Sequence, residues 1–170
     1  MNRRRLAPLA FAAAAALWLG GCQSAPAVPA DYAPLVARFY LETKPAEAGL
    51  AVQLPQSGVA INVGPKPVFV EYDIVNAEVT QVDLGQCLLF QLTPAASRDL
   101  YRLSVASVGR RLVLSLNDKL VGARRIERAM GDGNILVFVE LPDADLPGLV
   151  ARLKRTAVDI VLASQKKKST

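Results

Sequence analysis

The most regular hydrophobic pattern in the chain lies in "VGRRLVLSLNDKLVGARRI", residues 108–126. Leu112, Leu114 and Leu116 fall on one face of an alternating run, with Val113 and Ser115 on the other. Asn117-Asp118 interrupts the run. Both residues tolerate positive φ, so the pattern predicts a two-residue β-hairpin turn, although the preferred glycine is missing. Residues 119–126 form the returning strand, and the arginine pairs Arg110-Arg111 and Arg124-Arg125 border the hairpin.

The same reading extends in both directions. Residues 87–92, "CLLFQL", form a strand. Thr93 is a suitable N-cap with Pro94 at the first helical position, and Ala96, Leu100 and Leu103 make the buried face of the helix that follows. Gly131-Asp132-Gly133-Asn134 is a turn and residues 135–141 a strand. Asp143 and Asp145 open a last helix with Leu146, Leu149, Val150 and Leu153 as its stripe. Residues 157–163, "AVDIVLA", read as a closing strand rich in β-branched side chains. Upstream, residues 34–42 read as a short helix with Pro34 in its first turn and Leu35, Phe39 and Leu41 as anchors. "LAVQLP" and "VAINV" are strands separated by the turn Pro55-Gln56-Ser57-Gly58, and a further strand is expected at residues 68–72. Together these elements predict an α+β fold of two layers, a mostly antiparallel sheet with two main helices packed on one face.

Composition changes this picture at the ends of the chain. Of 170 residues, 52% are hydrophobic, enough for a real core. The formal charge of +5 falls to −1 once Arg3, Arg4, Arg5 and the tail lysines Lys166, Lys167 and Lys168 are set aside. The part between is near neutral, which argues against a nucleic-acid partner. Histidine is absent, and the only cysteines are Cys22 and Cys87. No cysteine–histidine metal site and no histidine-dependent triad can be assembled. Glu71, Asp73 and Glu78 are the one acidic cluster near the strand expected at residues 68–72. Glu71 and Asp73 share a strand face expected to meet water, so they are not read as a catalytic pair. No catalytic residue, metal ligand or cofactor is assigned. Cys87, inside an apolar run, reads as an inert core thiol.

"MNRRRLAPLAFAAAAALWLGGCQS" has the form of a secretory leader, with three arginines before an apolar run too short to span a bilayer. Leu19-Gly20-Gly21-Cys22 resembles the lipobox of bacterial lipoproteins. The resemblance implies cleavage before Cys22 and acylation, such as palmitate, on its thiol. Gln23 then favours the periplasmic face of the outer membrane over the inner membrane. Acyl chains contribute about 0.8 kcal/mol per buried methylene, so several make a firm membrane anchor. The expected organisation is a signal peptide at 1–21, a proline- and alanine-rich tether at 22–33, one domain at 34–165 and a basic tail at 166–170.

The segments "YDIVNAEV", "FQLTPAASRDL", "VGRRLVLSLNDKLVGARRI", "GDG" and "LVARL", between Tyr72 and Leu153, resemble the periplasmic head subdomain of SecD, the accessory membrane component of bacterial protein export. In that family the middle segment runs approximately Gly-Lys/Arg-Arg-Leu, a hydrophobic strand, Asp-Gly-Lys, then Ser-Ala-Pro-x-Ile. Here Asn117-Asp118-Lys119 replaces the turn and Arg124 stands at the proline. The family's proton-coupled mechanism uses membrane spans that are not read in this sequence after the leader. What carries over is a head-like domain, and contact with exported or envelope proteins as its expected work. A lipid or small-molecule carrier is the alternative. A hydrolase finds no G-x-S-x-G elbow and no histidine. Arg111, Arg124 and Arg125 are the candidate binding residues, because arginine forks suit carboxylate and phosphate. Neighbours on one strand point to opposite faces, which favours solvated strand flanks over a shared anion site.

Overall fold

A computed structural model describes residues 33–168. The leader, Cys22 and the tether through residue 32 lie outside the described residues, as do Ser169 and Thr170. The fold is α+β, and the described strand pairs are antiparallel, as the patterning predicted. The strands are divided among three sheets where the pattern suggested one. β1 (Ala37–Leu41), β6 (Arg111–Leu116) and β7 (Lys119–Arg125) form the first, in the order β1-β6-β7. β2 (Leu50–Gln53) and β3 (Ala60–Val63) make a hairpin. β4 (Ile74–Val82), β5 (Gly85–Leu92) and β8 (Asn134–Val137) form the third sheet, with β5 central. The helices are α1 (Pro94–Ala106) and α2 (Leu146–Lys168).

The reason for the division is visible in β6. Its residues 112–116 are all buried. Leu112, Leu114 and Leu116 enter the main core, while Val113 joins Leu54, Ile61 and Val63 in a second cluster. The alternation that looked half-polar is a strand covered on both faces, with the β2–β3 hairpin as the second cover. The predicted turn is present, with φ of 45° at Asn117 and 65° at Asp118. Asparagine serves here where glycine would not. Its Nδ2 donates to the Pro34 carbonyl and its Oδ1 accepts from the Val36 N–H, each at 2.8 Å, so the turn clamps the incoming chain. Thr93 Oγ1 accepts from the Ala96 N–H at 3.2 Å, and Ala96 and Leu100 are buried as expected of that helix.

Several elements differ from the sequence expectation. Residues 34–42 contain strand β1, not a helix. A spacing of four, as between Leu35 and Phe39, fits both periods, and the β6 backbone decides between them by pairing Ala37↔Leu116 through Leu41↔Leu112. Residues 68–72 form no strand. Phe69 makes a single bridge to Phe39, and Glu71–Asp73 is a 3₁₀ turn closed by Asp73 Oδ2 accepting from the Val70 N–H at 2.9 Å. The strand β4 follows that turn, in a stretch too polar to stand out. Residues 135–141 are extended only to Val137. Beyond it the chain leaves β5 and bridges β7 through Val139 and Gly122. Residues 157–163 are not a strand but the second half of α2. No glycine or proline stands between Leu149 and Lys168, so nothing stops the helix, and β-branched content gave the wrong weight. The α2 backbone also runs through Lys168, into the expected tail.

Candidate functional site

α2 packs along β4, and its first half is anchored by Leu146, Val150 and Leu153 in the main core. Past Leu153 the pattern changes. Val158, Val161 and Leu162 are 53%, 54% and 57% exposed. They line one side of an apolar cleft of about 660 Å³. Ile74, Val75 and Ala77 at the start of β4 make the opposite wall, and Leu35, Ala37 and Phe90 lie at its base. Tyr72 and Val75, both more than half exposed, extend the apolar surface at the mouth. Among the described residues β4 pairs only with β5 and so is an edge strand of its sheet. The cleft therefore sets an open strand edge beside an apolar helix face, the arrangement in which an extended peptide can be added to a sheet.

The entry to β1 is locked against α2 beside this cleft. The Leu35 N–H donates to the buried Thr156 Oγ1 at 2.9 Å, and Arg152 Nη2 donates to the Ala33 carbonyl at 3.1 Å. Ala33, expected at the end of the tether, is therefore held by the domain.

Among the described residues two charged side chains line the cleft, Glu71 and Lys154. Arg38 Nε and Nη2 donate to the two Glu71 oxygens at 3.1 and 3.4 Å, and Arg38 also lies 3.5 Å from Asp118. Burial alone would raise the Glu71 pKa, but the Arg38 hydrogen bond, a backbone N–H and the Arg38 charge outweigh it and hold the carboxyl below the usual glutamate range. A depressed folded pKa stabilises the fold above the ordinary glutamate range, and that stabilisation is lost as pH falls through the lower folded value. Glu71→Gln is accordingly expected to cost about 1 kcal/mol or less at pH 7, since Arg38 is partly solvated, and less than that at pH 2. Urea titrations at the two pH values check this, and an equal loss at both refutes it.

Of the other carboxylates, Asp73 closes its 3₁₀ turn and Glu78 accepts from Asn76 Nδ2 at 2.6 Å. Glu71 does not point to water as expected, because Arg38 draws it in. Among the described residues no group of histidine, cysteine, aspartate and glutamate could hold a metal ion, and no helix is long and apolar enough to cross a membrane. Cys87 is fully buried, and burial pushes its thiol pKa up, with the Arg124 charge opposing.

The arginines separate. Arg110 Nε donates to the Glu42 carbonyl at 2.6 Å, and its Nη2 lies 3.7 Å from Glu47. Arg111 stands opposite Arg125 in the β6–β7 register, with its Nε 3.8 Å from Glu42. Arg124 Nη1 donates to the Leu136 carbonyl at 2.9 Å and so ties the first sheet to the third. Arg125 is exposed. Arg111 and Arg125 thus share a face, while Arg124 is engaged elsewhere. None of the three lines the cleft. The cleft itself escaped the sequence reading, although residues 158, 161 and 162 carry the helical i, i+3, i+4 spacing that could have marked it.

No protein-family model and no curated protein matches the sequence. Solved structures do match the fold. One is a structure of SecDF, a membrane component that enhances protein export, with a TM-score of 0.55 and 18% identity over 71% of this chain. Another is SecDF in a super-membrane-facing form, with a TM-score of 0.55 and 17% identity over 70% of this chain. The chain spans 62% and 18% of those two chains, respectively, less than two thirds of either. The described domain is SecD-like in fold.

Proposed function

We propose that this chain is a non-enzymatic envelope lipoprotein whose SecD-like domain holds apolar segments of exported or envelope proteins in the cleft between β4 and α2. The observation that carries the reading is the pairing of an open strand edge with an exposed apolar helix wall. Edge backbone supplies hydrogen bonds to any sequence, and the wall selects apolar side chains. The link of SecDF to protein export supports polypeptide as the cargo. A lipid or small-molecule carrier is the second reading, favoured by the predominantly apolar lining. Against it, the wall residues stay more than half exposed, whereas a carrier buries most of its ligand's surface. On this reading Cys22 carries the lipid anchor, as its lipobox-like context suggests, and the domain works at the periplasmic face of the outer membrane.

Photo-crosslinking in living cells tests this, with the probe at Val75, Val158 or Val161 and, as a control, at exposed Arg102 on α1. The expected result is crosslinks to exported chains from the three cleft positions and none from residue 102. Fractionation of the same cells should place the chain with membranes, and Cys22→Ala should release it. Folded protein without cleft-specific protein crosslinks overturns the polypeptide reading, and crosslinks to lipid put the carrier in its place.

A further inference from the structure

The ionic groups of the cleft are not equivalent. Glu71 is closed off by two hydrogen bonds from Arg38. Lys154, also in the lining, is exposed, and its ammonium makes neither a hydrogen bond nor an ion pair among the described residues. Its own helix cannot neutralise it. The positions three and four residues away are Val150, Ala151, Ala157 and Val158. Asp159, the one acidic residue of α2, lies 3.4 Å from Arg155. The result is an apolar trough with a single uncompensated cation in its lining.

We infer that the occupant of the cleft is an extended apolar polypeptide segment that carries a carboxylate, and that Lys154 receives that carboxylate. The inference rests on the polypeptide reading above and adds to it the chemistry of the client. The charge complementarity has a structural purpose. Backbone pairing along β4 is indifferent to sequence, and a strand that slips by one residue exchanges its faces. One ionic contact at a defined point fixes the register, while the apolar wall contributes affinity. The carboxylate can come from an aspartate or glutamate within the segment or from the C-terminus of a chain. Both present the same group to Lys154.

The test uses the full chain carrying Cys22→Ala and fluorescence anisotropy with labelled nine-residue peptides of alternating valine and threonine. One series carries aspartate, asparagine or lysine at a single position. A second ends in a free carboxylate or an amide. An exposed ion pair contributes up to roughly fivefold in affinity, so the aspartate peptide is expected to bind about fivefold tighter than the asparagine peptide at low salt. The advantage should shrink as ionic strength rises. Lys154→Gln should level the series, and Lys154→Glu should invert it in favour of the lysine peptide. An advantage confined to the free-carboxylate peptide, lost in Lys154→Gln, identifies chain ends as the source. If all peptides bind equally and Lys154→Glu changes nothing, the inference falls and polypeptide binding stands. If no peptide binds, polypeptide binding falls too. Laurate binding that depends on Lys154 without peptide binding replaces both with an anionic amphiphile.

Discussion

Phe39→Ala is expected to lower the unfolding free energy by about 3–5 kcal/mol, the range for truncating a fully enclosed phenylalanine. Few positions in the chain join as many parts. Phe39 is fully buried on β1, opposite Leu114 of β6, and its backbone N–H donates to the Phe69 carbonyl at 2.9 Å. Its ring meets Phe90 of β5 edge-on, with centroids 5.2 Å apart and planes at 88°. That contact spans the first and third sheets, so truncation opens a cavity where they meet. A domain of this size has about 5–15 kcal/mol of total stability, so the loss leaves the variant near its threshold. Urea unfolding followed by circular dichroism measures it. A loss below about 1 kcal/mol would mean that the sheets collapse freely onto the gap, against the packing described here.

Gly122→Ala should reverse the usual sign of a glycine-to-alanine exchange. In a strand interior alanine is ordinarily better by about 0.5–1 kcal/mol, because glycine loses more backbone freedom on folding. At residue 122 an added Cβ would run into the Phe138 carbonyl oxygen and lie 3.0 Å from the Val139 Cα. Both neighbours are backbone, fixed by the bridge between Gly122 and Val139, and cannot swing aside as a side chain would. The expected loss is about 1–3 kcal/mol, as for other overpacked sites. Gly148→Ala is the control. A Cβ there meets nothing within 4 Å, and alanine in α2 should be neutral or stabilising by up to about 1 kcal/mol. Equal effects at the two positions would show that β7 and the segment after β8 do not depend on their close approach.

Local signals served well where the chain's own neighbours settle the structure. Thr93-Pro94 announces α1 because a cap and a fixed φ act within four residues. Asn117-Asp118 announces the β6–β7 turn because few residue types accept positive φ. They served poorly at residues 34–42, where only the β6 partner selects strand over helix, and at residues 157–163, where valine and isoleucine suggested a strand but the chain had no residue with which to leave α2. The cleft depends on those two segments. Misreading both removed its base at Leu35 and Ala37 and its wall at Val158, Val161 and Leu162 from view. Lys154 was visible throughout, but its lack of a partner depends on where β4 and Arg38 lie.

By itself the sequence determined the α+β class, the antiparallel hairpin and the helix α1, since all three are written in short-range periodicity and turn chemistry; the resemblance to a SecD head came from its quoted segments. Only the tertiary structure decided that β6 is covered on both faces, that the strands divide into three sheets and that α2 continues past its buried stripe to leave an apolar wall beside the β4 edge. The physical reason is the range of the forces. Capping and positive φ act over a few residues, whereas burial and strand pairing act between segments such as residues 35–41 and 112–116, which are far apart along the chain and adjacent in the fold.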